Sequence, residues 1–260
     1  LTVKKVLLPS SDQGTFGLQI DGQTKATGGD GTSTGATAVS IGAHSVAEVS
    51  ANGTDLSKYT SAIGGDCAAD GSVSLTAGEN KVCTITNTRI PTLTVKKVLV
   101  PANDPGTFGL QIDGQTKASG GNGTTTGAVA VSLGAHSVAE VSANGTDLTN
   151  YVSAVSGDCA ADGSVSLAAG ENKVCTITNT RKPRLIVIKK VVNDDGGTAV
   201  ASDFTLAVNG TSPTPASFNG AAAPGVEVTL GAGSYSVSET GGPSGYAGSL
   251  SADCTGTIAL

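Results

Sequence analysis

Apolar and polar residues alternate with period two through much of this chain. Phe16, Leu18 and Ile20, then Phe108, Leu110 and Ile112, then Phe204, Leu206 and Val208 each mark one side of a short extended segment. Successive side chains of an extended backbone leave on opposite sides, so this alternation predicts strands with one buried face. Glycine-rich punctuation such as Thr27-Gly-Gly-Asp-Gly, Ala51-Asn-Gly-Thr and Ala77-Gly-Glu-Asn separates the segments. No stretch sustains a helical apolar stripe. The expectation is an all-β fold, a sandwich of about seven short strands in each structural unit.

The alternation itself recurs. Leu1-Thr-Val-Lys-Lys-Val returns as Leu93-Thr-Val-Lys-Lys-Val, and Cys67, Cys83 and Asn87 return as Cys159, Cys175 and Asn179, with the same displacement each time. About four in five positions match between these two copies, which is the signature of a tandem array. A third, looser copy starts in register at Leu185, Val187 and Lys189 and then diverges. The expected units are residues 1–90, 91–182 and 183–260, the third incomplete at its C-terminal strand. Their joints, Arg89-Ile-Pro-Thr and Arg181-Lys-Pro-Arg, are short and carry proline, so the units are expected to form a stiff rod.

Composition narrows the picture. The 260 residues contain no Met or Trp, 3% aromatics and 37 glycines, so each core must be built from small side chains. Units this small are marginal without covalent help. A net charge of −6 with scattered Lys and Arg excludes a basic stripe for nucleic acid. No apolar run is long enough to span a membrane, and neither a start Met nor a charged leader precedes Leu1, as expected of a piece of a longer polypeptide.

Five cysteines would suggest a leftover thiol. Cys67 with Cys83 and Cys159 with Cys175 share one spacing, and Cys254 takes the place of Cys67 in the third copy, so its partner is expected beyond Leu260. A cysteine pair in each unit implies an oxidising, extracellular setting, and closing such a loop contributes roughly 3 kcal/mol. The alternative of a metal site lacks close ligand spacing. Asn193-Asp-Asp-Gly-Gly and Gly29-Asp-Gly carry too few ligands for calcium and read as turns. Asn52, Asn122, Asn144 and Asn209 each head an Asn-Gly-Thr that is both a glycosylation sequon and a turn signal.

Alternation also aims polar groups inward. Leu1, Val3 and Lys5 share a face, as do His44, Val46 and Glu48, and Cys83, Ile85 and Asn87. Burying an amine, an acid and a carboxamide unpaired costs several kcal/mol each, so the fold must pair them or react them. A desolvated lysine tends to lose its proton, and the neutral amine can attack the Asn carboxamide to form an isopeptide bond with release of ammonia. Glu48 would shuttle the protons. Lys97, Glu140 and Asn179 repeat the set, and Lys189 with Glu239 begins a third. The plainer alternatives are a snorkelling Lys5, a Glu48 satisfied by backbone amides and an Asn87 that forms a turn. His44 and His136 are one position, replaced by Tyr235, and read as core or edge residues.

The order Lys in the first strand, Glu in a middle strand and Asn near the end resembles the collagen-adhesin B-type (CnaB) and SpaA-type domains of bacterial surface proteins and pili. Tyr235-Ser-Val-Ser-Glu-Thr and Pro243-Ser-Gly-Tyr resemble that family's Glu strand and its Pro-x-Gly-Tyr turn, whereas the first two copies read Ala47-Glu-Val-Ser and Ala139-Glu-Val-Ser. The resemblance implies tandem Ig-like, prealbumin-like sandwiches with Lys5, Glu48 and Asn87, and Lys97, Glu140 and Asn179, as self-crosslinking triads. It implies a cell-surface location, no cofactor and no enzyme activity beyond that autocatalytic step.

The function expected is a load-bearing extracellular stalk or filament, assembling with itself or with further repeats into a fibre. The alternative is an adhesive module for a host protein or glycan, although its loops are poor in the aromatic and Arg anchors that binding hot spots use. An enzyme fits least, since no nucleophile, base and oxyanion set recurs outside the triad.

Overall fold

The computed structural model describes residues 1–259 and is nearly all β. The first repeat contributes β1 (Thr2–Leu8), β2 (Thr15–Ile20), β3 (Gln23–Gly28), β4 (Gly42–Ala51), β5 (Tyr59–Gly65), β6 (Ser72–Leu75) and β7 (Val82–Arg89). They form one sheet of order β3-β2-β4-β6 and another of order β1-β7-β5. The second repeat contributes β8 (Thr92–Val100), β9 (Thr107–Ile112), β10 (Gln115–Gly120), β11 (Val129–Ala130), β12 (Gly134–Ala143), β13 (Tyr151–Gly157), β14 (Ser164–Leu167) and β15 (Asn172–Arg181). Its sheets run β10-β9-β12-β14 and β11-β8-β15-β13. The third has β16 (Arg184–Val187), β17 (Thr205–Asn209), β18 (Ser217–Asn219), β19 (Val226–Thr229), β20 (Gly233–Gly241) and β21 (Thr255–Ile258), with sheets β18-β17-β20-β21 and β16-β19.

The two sheets of a repeat face each other across a core of small side chains. In the first repeat Val3, Cys83 and Ile85 from one sheet meet Leu18, Ile20, Val46 and Val73 from the other. Alternation along each strand supplies these inward rows, as the period-two pattern predicts. The first and last strands of the repeat lie side by side and parallel, with Val3 opposite Cys83, Lys5 opposite Ile85 and Leu7 opposite Asn87. A parallel pair cannot be joined by a tight turn, so β1 and β7 meet only after the whole repeat has been traversed. The disulfides Cys67–Cys83 and Cys159–Cys175 each anchor a last strand to the loop after β5 or β13.

Local turn chemistry sets the register. Asp21 and Gly22 connect β2 to β3 with φ of 49° and 75°, the two left-handed residues that a tight hairpin requires. Asp21 then reaches the neighbouring strand, accepting from Ser45 N–H at 2.9 Å and contacting His44 Nδ1 at 2.7 Å. The second repeat has the same device: His136 Nδ1 lies 2.7 Å from Asp113 Oδ2 and Nε2 lies 2.9 Å from the Ser132 carbonyl. Both ring nitrogens thus face acceptors, and only the imidazolium carries two N–H donors.

The Asp113 hydrogen bond raises the His136 pKa above its ordinary 6.5. Burial pushes Asp113 up, but hydrogen bonds from His136 and the Ser137 N–H outweigh it and leave the carboxyl below its ordinary 3.8. The His136 contribution is therefore present in full below the ordinary imidazole value and fades as pH rises through the raised one. The Asp113 contribution is lost as pH falls through the carboxylate range. His136→Gln should accordingly destabilise the second repeat more at about pH 5 than at about pH 8, as read from denaturant midpoints. Replacing Cys159 and Cys175 together by Ala should lower its unfolding free energy by about 3 kcal/mol, seen as a lower urea midpoint.

Candidate functional site

β1 places two adjacent lysines on opposite sides: Lys4 is exposed, whereas Lys5 is 1% exposed and lies on the row of Val3 and Leu7. A lysine at this depth needs a partner, and one arrives from the facing sheet. Glu48, on β4 opposite Leu18, brings Oε2 to 2.8 Å from Lys5 Nζ. The amine also donates to the Ile85 carbonyl at 3.3 Å and sits 4.4 Å from the centre of the Phe16 ring. Burial pushes the Lys5 amine below the ordinary lysine range, against the hydrogen bond and charge of Glu48 and the more distant charge of Asp30. Lys97 shifts in the same direction for the same leading cause, opposed by Glu140.

Asn87 lies on the inward row of β7 with Cys83 and Ile85 and is 1% exposed. Its strand neighbours are Leu7 on one side and Ser61 on the other. Neither Nδ2 nor Oδ1 has a hydrogen-bond partner among the described residues. An orphaned buried polar group costs about 1–3 kcal/mol, so two on one side chain are conspicuous. Ser61, directly opposite Asn87, donates its hydroxyl to Glu48 Oε1 at 2.9 Å. Glu48 thus bridges the amine of Lys5 and the residue facing the carboxamide.

The second repeat has the same arrangement. Lys97 Nζ lies 2.7 Å from Glu140 Oε2 and 4.3 Å from the centre of Phe108, Ser153 donates to Glu140 Oε1 at 3.0 Å, and both polar side-chain atoms of the buried Asn179 are unpartnered. In the third, Lys189 Nζ lies 2.6 Å from Glu239 Oε2 and 4.0 Å from the centre of Phe204. That pair is more open, with side chains 14% and 23% exposed against 0% and 11% for Lys5 and Glu48. Gly248 stands where Ser61 and Ser153 stand in the other repeats, and a Cβ there would lie 3.5 Å from Glu239 Oε1.

Period-two reasoning alone does not single out the serine or the phenylalanine. Their signal is recurrence: Ser61 and Ser153 hold the same place after Glu48 and Glu140, and a Phe opens the second major strand segment of every copy. A further cluster beside the site also escapes the pattern. Tyr59 stacks edge-on against Phe16 at 5.3 Å, donates to Asp12 Oδ1 at 2.6 Å and accepts from Arg89 Nη1 at 2.8 Å. Tyr151, Asp104 and Arg181 repeat it. In the third repeat the Tyr246 hydroxyl donates to Asn193 Oδ1 at 2.5 Å, which ties the Pro243-Ser-Gly-Tyr turn to the Asn193 loop.

Asp30, from the Gly29-Asp-Gly segment, accepts the Leu7 N–H at 2.7 Å and so has a structural task. Among the described residues no group of three or more His, Cys, Asp or Glu side chains is placed to hold a metal ion. Among the described residues no helix is long and apolar enough to cross a membrane. Ser61→Ala should remove one hydrogen bond to Glu48 and destabilise the first repeat by about 1 kcal/mol without unfolding it, measured by urea denaturation.

The family model SpaA_2, a prealbumin-like fold domain, matches residues 90–177 and again 181–259. Among solved structures, the chain is similar to the major pilin protein T-13 of Streptococcus pyogenes, at 15% identity and a TM-score of 0.26, covering 70% of this chain and 96% of that one. It is also similar to the pilus adhesin SpaC of Lactobacillus rhamnosus GG, at 18% identity and a TM-score of 0.26, covering 95% of this chain and 37% of that one. The Bacillus anthracis TIE protein is similar at 15% identity and a TM-score of 0.28, covering 92% and 45%. No curated protein matches in sequence.

Proposed function

The chain belongs to the SpaA_2 family of prealbumin-like fold domains, and from that premise we propose that it is a load-bearing stretch of an extracellular stalk or filament. Its first two repeats are tied internally by Lys–Asn isopeptide bonds, between Lys5 and Asn87 and between Lys97 and Asn179. The observation that carries this reading is the part-buried Lys5–Glu48 hydrogen bond together with a buried Asn87 carboxamide that has no hydrogen-bond partner among the described residues, present in duplicate.

The chemistry follows from that arrangement. A proton passes from Lys5 Nζ to Glu48 Oε2 along their hydrogen bond, which turns a buried ion pair into a neutral amine and a neutral acid. The amine lone pair attacks Asn87 Cγ, Glu48 gives its proton to Nδ2, the Cγ–Nδ2 bond breaks as ammonia leaves, and Glu48 takes the remaining extra proton from Nζ to leave a neutral amide and a protonated acid. One C–N bond forms and one breaks, with no redox change. The step removes the orphaned Nδ2 donor altogether, and it replaces a costly buried amine with an amide.

Mechanical consequences follow from the strand order. Tension enters the first repeat through β1 and leaves through β7, which are parallel neighbours. A bond between Lys5 and Asn87 would carry load from one strand to the other and bypass the hydrogen-bonded ladders of the remaining strands. Short joints, with only Ile90 and Pro91 between β7 and β8, pass that load on with little slack and favour a rod. The disulfides fit an oxidising, cell-surface location.

Intact mass of the purified chain should be lower than the sequence mass by two ammonia molecules after reduction. Asn87→Ala should restore one, and an unshifted mass for the parent would overturn the crosslinks. Asn87→Leu gives a second, opposite-signed readout. With no crosslink it replaces an unsatisfied carboxamide by an apolar group of similar shape and is neutral or stabilising; with the crosslink it lowers the melting temperature of the first repeat sharply.

A further inference from the structure

The two sheets of the first repeat end in four outer strands, β3, β6, β1 and β5, and three of these are closed to further pairing. The segment 30–37 runs along the free side of β1: the Leu7 N–H donates to Asp30 Oδ1 at 2.7 Å, the Lys5 N–H to the Thr32 carbonyl at 2.8 Å and the Val3 N–H to Thr34 Oγ1 at 3.0 Å. β6 is four residues long, and the Lys81 amine donates to its Ser74 carbonyl at 2.6 Å. On β3 the register against β2 shifts so that Lys25 bulges out of the ladder. Covering segments, short lengths, lysines and bulges are the devices by which sheet edges avoid unwanted partners.

β5 has none of them. Its seven residues, Tyr59–Gly65, include no charge and no proline, and its register against β7 runs unbroken from Tyr59 opposite Arg89 to Gly65 opposite Cys83. The Ile90 N–H donates to the Lys58 carbonyl and the Asp66 N–H to the Val82 carbonyl, so even-numbered residues here turn their backbone groups toward β7. Antiparallel alternation then turns those of Ser61 and Ile63 the other way, where no strand lies among the described residues. β13 has the same parity, with the Lys182 N–H on the Asn150 carbonyl and the Asp158 N–H on the Val174 carbonyl.

We propose that two copies of the chain pair side by side through β5, antiparallel and about a two-fold axis at Ala62. The strand is complementary to itself in that register. Ser61 comes opposite the partner's Ile63, so outward backbone groups meet outward backbone groups. Ala62 meets the partner's Ala62 as a non-hydrogen-bonded pair, with Cα atoms about 4.5 Å apart. The outer side chains of Thr60, Ala62 and Gly64 are small and neutral, so the contact crowds nothing and brings no like charges together. Just past the strand ends Lys58 comes opposite the partner's Asp66, and by symmetry Asp66 opposite the partner's Lys58. Both residues are exposed, and Asp66 is held in place by the Val82 N–H on Oδ2 at 2.7 Å. β13 lacks this match. Asn150 stands where Lys58 stands, so self-pairing there leaves two Asp158 carboxylates without a cation. A contact of this self-complementary kind closes at a dimer, and main-chain hydrogen bonds supply most of its affinity. The edge is short, so the dimer is weak and depends on concentration. No part of it uses the Lys–Asn bonds, so it stands or falls apart from the crosslinks.

Sedimentation velocity of the full chain, run under reducing conditions across a wide concentration range, should show a reversible monomer–dimer equilibrium. Ala62→Lys sets two like charges face to face across the axis and should weaken the dimer at least about 10-fold, as should Ala62→Glu. Ala62 is exposed, so neither charge is buried in the monomer. An equimolar mixture of the two variants should dimerise again, since the axis then pairs opposite charges, whereas a folding defect in either would not be repaired by mixing. Lys58→Glu, which faces the partner's Asp66, should also weaken the dimer. Ala154→Lys, the same change on β13, should leave it intact. A parent chain that stays monomeric at every concentration overturns the proposal. So does a dimer that survives Ala62→Lys, or one that Ala154→Lys disrupts, which would put the contact on β13 or between β13 and β5.

Discussion

A lysine amine held out of water is the constraint around which each repeat is organised. Lys5 sits on an inward row where its neighbours Val3 and Leu7 are fully buried, and a charge there is tolerable only if a counter-charge reaches it. That requirement determines what crosses the space between the sheets. Glu48 must extend from β4, Ser61 must hold the second carboxylate oxygen, and Phe16 must offer a ring face beneath the amine. The third repeat has diverged over most of its length yet keeps the Lys, the Glu and the Phe in contact. It differs at the serine, whose place is taken by Gly248.

The second organising element is the adjacency of first and last strands. Because β1 and β7 are parallel neighbours, the sandwich closes only when its final segment docks between β1 and β5. Both the disulfide cysteine Cys83 and the buried carboxamide of Asn87 lie on the inward row of that final strand. The disulfide is thus anchored on the element that completes its sheet.

Small side chains make this reinforcement necessary. With few aromatics and many Gly, Ala, Ser and Thr, a repeat buries little apolar area per residue, so the hydrophobic term alone is modest. Side-chain devices that tie loops to strands carry correspondingly more weight, among them the Asp21–His44 bridge and the Asp12–Tyr59–Arg89 cluster. All of these recur in the second repeat, so each is a property of the repeat rather than of one loop.

The strands were legible in the sequence because alternation is a local signal, and the tandem organisation because the copies are nearly identical. The inward aim of Lys5, Glu48 and Asn87 followed from the same parity rule, and the cysteine pairing from one repeated spacing. Other features could not be read that way. The parallel docking of β7 against β1 joins residues 80 apart, Lys5 and Ile85 among them, and no local pattern encodes such a partner. Ser61 lies on a strand whose exposed and intermediate residues look unremarkable, and it matters only because β5 places it opposite Asn87 and within reach of Glu48. The orphaned carboxamide is likewise a property of neighbours in space. The sequence by itself therefore determined which residues face inward, since side-chain parity belongs to each strand alone; only the tertiary structure decided which of them meet, since contact depends on how separate strands are laid side by side.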